Sequence, residues 1–98
     1  MSGNMTVEHQ ELIDKIKSMI VNISRIGLTP KEISNHANLF DDLGIDSNSV
    51  VELVLALEAE FGVSINEEDL EAELFQDVSK WSDLVRSKQA RSREALSA

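Results

Sequence analysis

No cysteine occurs anywhere in this 98-residue chain, which excludes a disulfide framework, thiolate zinc sites and cysteine catalysis. Tyrosine is missing too, and the remaining aromatics are three Phe and one Trp. A single Pro and four Gly are too few for the many turns of a β-sandwich, so the balance suits a small helical protein. Long apolar runs are also lacking. The longest, Leu53-Val54-Leu55-Ala56-Leu57, falls far short of the roughly 20 residues that a membrane span needs. No basic-then-apolar segment opens the chain, so a cytoplasmic location is expected. What is present, 42% hydrophobic and 28% charged residues, is a globular composition with room for one core.

Bases are scarce where acids gather. The net charge is −9, from 18 acids against 9 bases. Residues 41–85 hold thirteen acids and only Lys80, whereas 86–98 carry Arg86, Lys88, Arg91 and Arg93 against Glu94. A field of overall negative sign repels phosphate backbones and anionic lipid, which argues against nucleic acid or a membrane surface as partner. It steers the protein toward basic patches on other proteins, although an acidic surface kept for solubility has the same composition.

Hydrophobic spacing then predicts helices. Over residues 6–23, Leu12, Ile16, Met19, Ile20 and Ile23 recur on one face, with Thr6 as N-cap. A long connection follows over 24–46. Within it Thr29-Pro30-Lys31-Glu32 reads as a short helical turn, and Phe40 and Leu43 are expected to pin the rest to the core. The second helix should run from Ser47 to Phe61 and stop at Gly62. Its core stripe is Val50, Leu53, Val54, Leu57 and Phe61, which leaves Val51 and Leu55 facing outward beside Glu52. Asn66 caps the approach to a short helix near Leu70 to Leu74. Asp77 caps a last helix that buries Val78, Trp81, Leu84 and Val85. The expectation is an all-α, small four-helix bundle: three main helices, one short helix and a long first loop. Residues 1–5 read as a flexible N-terminus, 6–85 as the domain, and 86–98 as a basic tail or frayed helical extension.

Most catalytic and metal chemistries find no support. His9 and His36 lie in separate elements, no glycine-flanked nucleophile elbow exists, and no phosphate-cradling Gly loop or calcium-loop register can be drawn. What remains is Asp41-Asp42-Leu43-Gly44-Ile45-Asp46-Ser47 running into the second helix. Helix starts offer unpaired N–H groups and partial positive charge, so a phosphate on a serine there would rest against donors. On residue chemistry alone, Asp46 or Ser47 as a plain N-cap is the favoured explanation of the pair.

The stretch Phe40-Asp41-Asp42-Leu43-Gly44-Ile45-Asp46-Ser47, then Val51-Glu52-Leu53-Val54 and Leu57-Glu58-Ala59-Glu60-Phe61, resembles the acyl carrier protein family. The resemblance covers roughly residues 7–85. It implies that Ser47 is esterified with 4′-phosphopantetheine from coenzyme A by a phosphopantetheinyl transferase using Mg²⁺. Asp46 would help position the metal and the transferase. By the same resemblance the protein is no enzyme and has no catalytic residues. It holds acyl or aminoacyl groups as thioesters on a flexible arm for loading and processing enzymes, and it works as a monomer. The matching partner-binding positions are Val51, Glu52, Leu55 and Glu58. Asn48 stands where the family usually has Leu, and Ser49 and Ala59 each replace a common acid. A polar residue after the serine points away from standard fatty-acid partners and toward a specialised polyketide, nonribosomal peptide or related pathway. The competing reading is a carrier-like helical interaction or regulatory subunit with no prosthetic group.

Overall fold

The computed structural model describes residues 7–97, with side chains described for 8–90; Thr6 and the 1–5 segment lie outside the described residues. Four helices follow in order: α1 (Val7–Ser24), α2 (Ser47–Phe61), α3 (Ala72–Gln76) and α4 (Ser79–Ser97). Short 3₁₀ turns at Pro30–Glu32 and Glu67–Asp69 interrupt the connections. No strand forms among the described residues. The expected small helical bundle, three long helices and one short, is the one observed.

Helix α1 lies between α2 and α4 and buries Ile13, Ile16 and Ile20. Leu12, Met19 and Ile23, expected on the same stripe, are only half-buried. A helix with neighbours on two sides turns a different residue line, centred on Ile13 and Ile16, to the core. Lys17 is buried beside this line, with its Nζ donating to Asn35 Oδ1 at 2.6 Å. Asn35 in turn donates to Gln10 Oε1 at 3.1 Å, so the first loop is stapled to α1 by polar side chains.

The first loop departs from expectation at its anchor. Leu39 and Leu43 are buried, whereas Phe40 is 43% exposed. The cause is backbone pairing: Leu39 donates to the Phe75 carbonyl at 2.8 Å and accepts from Ile45 N–H at 2.9 Å. With Leu39 held between two segments, its side chain turns inward and that of its neighbour turns out.

Helix α2 has the predicted ends. Asp46 caps it, and Gly62 ends it at φ 64°, a left-handed conformation that glycine adopts without a Cβ penalty. Val50, Leu53 and Leu57 are buried, with Val54 and Phe61 half-buried at the edges of the stripe. Burying each such side chain contributes about 1.5–3 kcal/mol, so this face holds α2 on the bundle. Lys15 of α1 adds an ion pair to Glu60 at 2.6 Å and stands over the Phe61 ring.

The short helix starts later than expected, at Ala72, because Glu67–Asp69 takes the Asn66 cap for its own 3₁₀ turn, with Asn66 N–H donating to Asp69 Oδ2 at 2.9 Å. Asp69 also pairs with Lys88 of α4 at 2.7 Å. In α4, Trp81 and Val85 are buried as expected, and Val78 just before it. Leu84 is half-buried, while Ser82 takes a fully buried place, its hydroxyl donating to the Ser79 carbonyl at 2.7 Å. The helix does not stop at Val85, where the apolar pattern ends; its backbone remains helical to Ser97.

Candidate functional site

The site is assembled by the turn before α2. Asn38 and Asp42 form a reciprocal pair: Asp42 Oδ2 accepts the Asn38 N–H at 2.8 Å, and the Asn38 carbonyl accepts the Asp42 N–H at 2.9 Å. Asn38 Oδ1 also accepts the N–H groups of Phe40 and Asp41 at 2.9 and 2.8 Å. Gly44, at φ 64°, then reverses the chain. Ile45 enters the core and leaves Asp46 and Ser47 outside it. Buried Ile45 and the Asn38–Asp42 pair therefore fix where the helix begins. Sequence reasoning missed this pair; an Asn and an Asp four apart ahead of a glycine were the available signal.

Asp46 Oδ1 accepts the Ser49 N–H at 2.9 Å. That bond, with a further one from the Ser49 hydroxyl, holds the Asp46 carboxyl below its ordinary value of 3.8. Ser49 is thus a partner of the Asp46 cap through its backbone N–H.

Ser47, the first residue of α2, is exposed, and no hydrogen bond among the described residues engages its hydroxyl. Several other serines are tied: Ser24 to the Ile20 carbonyl, Ser79 to Asp77 Oδ1, and Ser82 to the Ser79 carbonyl. Exposed Ser64 and Ser87 are unbonded among the described residues too, but neither opens a helix. No histidine serves Ser47 either, since His36 is held by Asp77 and His9 by Ser82 at the other helices. A free hydroxyl with no histidine to activate it is suited to be acted upon. Its place on the first turn, where N–H groups and the helix dipole favour negative charge, fits a phosphodiester with a long arm directed into solvent.

Beyond the serine, α2 presents Val51 and Leu55, 59% and 60% exposed, with Glu52 exposed between them. Glu58 differs from the other matching positions. It is half-buried, and its Oε2 accepts the Ile65 N–H at 2.8 Å, so one oxygen secures the chain after Gly62. Nothing local in the sequence signals a bond spanning that reversal.

An exposed serine with no hydroxyl bond, at a capped helix start in a small acidic helical bundle, is the arrangement that the carrier class of proteins would use. The comparisons agree. The chain matches the family model described as the phosphopantetheine attachment site over residues 14–85. It is 40% identical over 62 residues to an acyl carrier protein of Thermotoga maritima, covering 63% of this chain and 74% of that one. Its fold is similar to a solved acyl carrier protein from Enterococcus faecalis, with a TM-score of 0.63 and 35% identity over 82% of this chain and 96% of the other. The chain belongs to the acyl carrier protein family. It is a carrier rather than a catalyst; its prosthetic group is 4′-phosphopantetheine, and its partners are a phosphopantetheinyl transferase and acyl-processing enzymes.

Proposed function

We propose that Ser47 Oγ is the point at which the 4′-phosphopantetheine is attached, and that Asp46 both starts α2 and helps position the transferase and its metal. When bound, the group supplies the thiol that this chain lacks and on which a cargo is held as a thioester. The observation that carries the assignment is the placement of Ser47: it is exposed, its hydroxyl has no bond among the described residues, and it opens α2 directly after the Asp46 cap, in the Asp-Ser pair that carries the family resemblance. Incubation with coenzyme A, Mg²⁺ and a broad-range transferase, followed by intact mass, tests it. One added arm is expected, lost completely in Ser47→Ala and retained in Ser49→Ala; an arm retained in Ser47→Ala sinks the assignment.

The docking face runs over Val51, Glu52 and Leu55, with Glu58 contributing its remaining oxygen. Exposed apolar residues flanked by acids fit a partner with a basic rim around an apolar centre. Surface pairs are each worth about 0–1 kcal/mol, which suits a shuttle that must leave its partners quickly. Glu52→Lys is expected to weaken binding to cognate enzymes while leaving thermal stability unchanged; equal affinity on titration would remove this face from the proposal. Exposed Asn48, at the serine end of the face, supports service in a specialised polyketide, nonribosomal peptide or related pathway. The domain spans 6–85, and the carrier works as a cytoplasmic monomer.

A further inference from the structure

Three aromatic rings lead from the surface into the core on the side of α3. Phe40 and Phe75 stack with centroids 5.4 Å apart, and Phe75 meets Trp81 edge-on at 6.1 Å. Exposure falls along the series, from Phe40 at 43% through half-buried Phe75 to Trp81 at 0%. Asn38, Phe40, Asp41, Ala72, Phe75 and Gln76 line a groove of about 230 Å³ over the outer two rings. Its two walls are joined by the bond from Leu39 N–H to the Phe75 carbonyl at 2.8 Å.

The groove lies within reach of Ser47. Gly44 N–H donates to the Phe40 carbonyl at 3.1 Å, and the three residues from Gly44 to Ser47 span at most roughly 11 Å. A group tethered at Ser47 is therefore held near the groove at high effective concentration.

We propose that this groove receives the carried acyl group when that group is planar and apolar, an aromatic or conjugated acyl chain stacking on Phe40 and Phe75. The inference rests on the carrier reading and adds the class of cargo. Flat rings gain stacking energy on an exposed aromatic pair that a flexible saturated chain does not.

The only tryptophan of the chain, Trp81, reports on the groove. The carrier is loaded with coenzyme A derivatives bearing benzoyl, hexanoyl or no acyl group, with intact mass confirming one arm. Indole fluorescence and the Trp81 indole N–H resonance are then compared. Benzoyl is expected to shift both signals, whereas hexanoyl and the bare arm leave them in place. In parallel, soluble N-acetylcysteamine thioesters are titrated into the unmodified chain, where benzoyl is expected to bind roughly tenfold tighter than hexanoyl. Phe40→Leu, which keeps an apolar cover and removes the ring, and Ala72→Arg, which obstructs the groove from its other wall, should each abolish the difference. Equal responses to benzoyl and hexanoyl, or a benzoyl response unchanged in both folded variants, overturn the proposal. Failure of loading sinks the carrier reading instead, and the soluble thioesters then decide the groove alone.

Discussion

Helices α2 and α4 both start beside an aspartate, and the two starts are put to opposite uses. Asp46 accepts only from groups of its own first turn, and the serine that follows it is left exposed. Asp77 is partly buried and knits three elements together. It accepts from the Ser79 N–H at 3.0 Å and the Ser79 hydroxyl at 2.6 Å, and faces His36 Nδ1 of the first loop at 3.0 Å. Beside it, Val78 and Ser79 donate to the carbonyls of Ala37 and Asn35. Burial opposes ionisation of Asp77, yet the Ser79 hydroxyl and His36 outweigh it, and the carboxyl stays below the ordinary 3.8. The same cap chemistry thus makes a clamp at Asp77, which reaches the first loop, and only a helix start at Asp46, which stays within its own turn and leaves the proposed attachment serine exposed.

The comparison can be broken by mutation. Asp77→Ala is expected to cost about 2 kcal/mol in denaturant unfolding, at the upper end for a lost cap, because the loop contact goes with it. Asp46→Ala should cost less, since no other element depends on it; equal losses would deny the clamp. Acid titration sharpens the point. Asp77 has a depressed folded pKa, so the stability it contributes is present above pH 3.8 and is lost as the pH falls through the lower folded value. Asp77→Asn should flatten the stability-against-pH slope in that window, measured by thermal melts; an unchanged slope would remove the carboxylate from the account. The smallest effect belongs to His36→Ala. That exposed pair is worth at most about 1 kcal/mol, so a larger loss would mean that His36 does more than face Asp77.

Much of the site was legible because it is built from local rules. The cap at Asp46, the stop at Gly62 and the outward placing of Val51 and Leu55 all follow from helical spacing and end chemistry within α2. Glu58 was not legible in the same way. It shares a helix face with Val51 and Leu55, yet its carboxylate turns to a backbone N–H beyond the next reversal. Phe40 was misjudged for a related reason, since of two adjacent apolar residues the one that faces inward is set by backbone bonds to α3 and Ile45.

The amino-acid order alone determined the four helices, the acidic field and the serine at the head of α2, because periodicity, caps and charge depend on near neighbours. Only the packed chain decided that Leu39 rather than Phe40 anchors the first loop, that both histidines serve α4, and that Ser47 is left exposed with no hydroxyl bond among the described residues. Those outcomes depend on segments distant in sequence meeting across a shared core, and no local pattern specifies which of several competing contacts the folded chain will make.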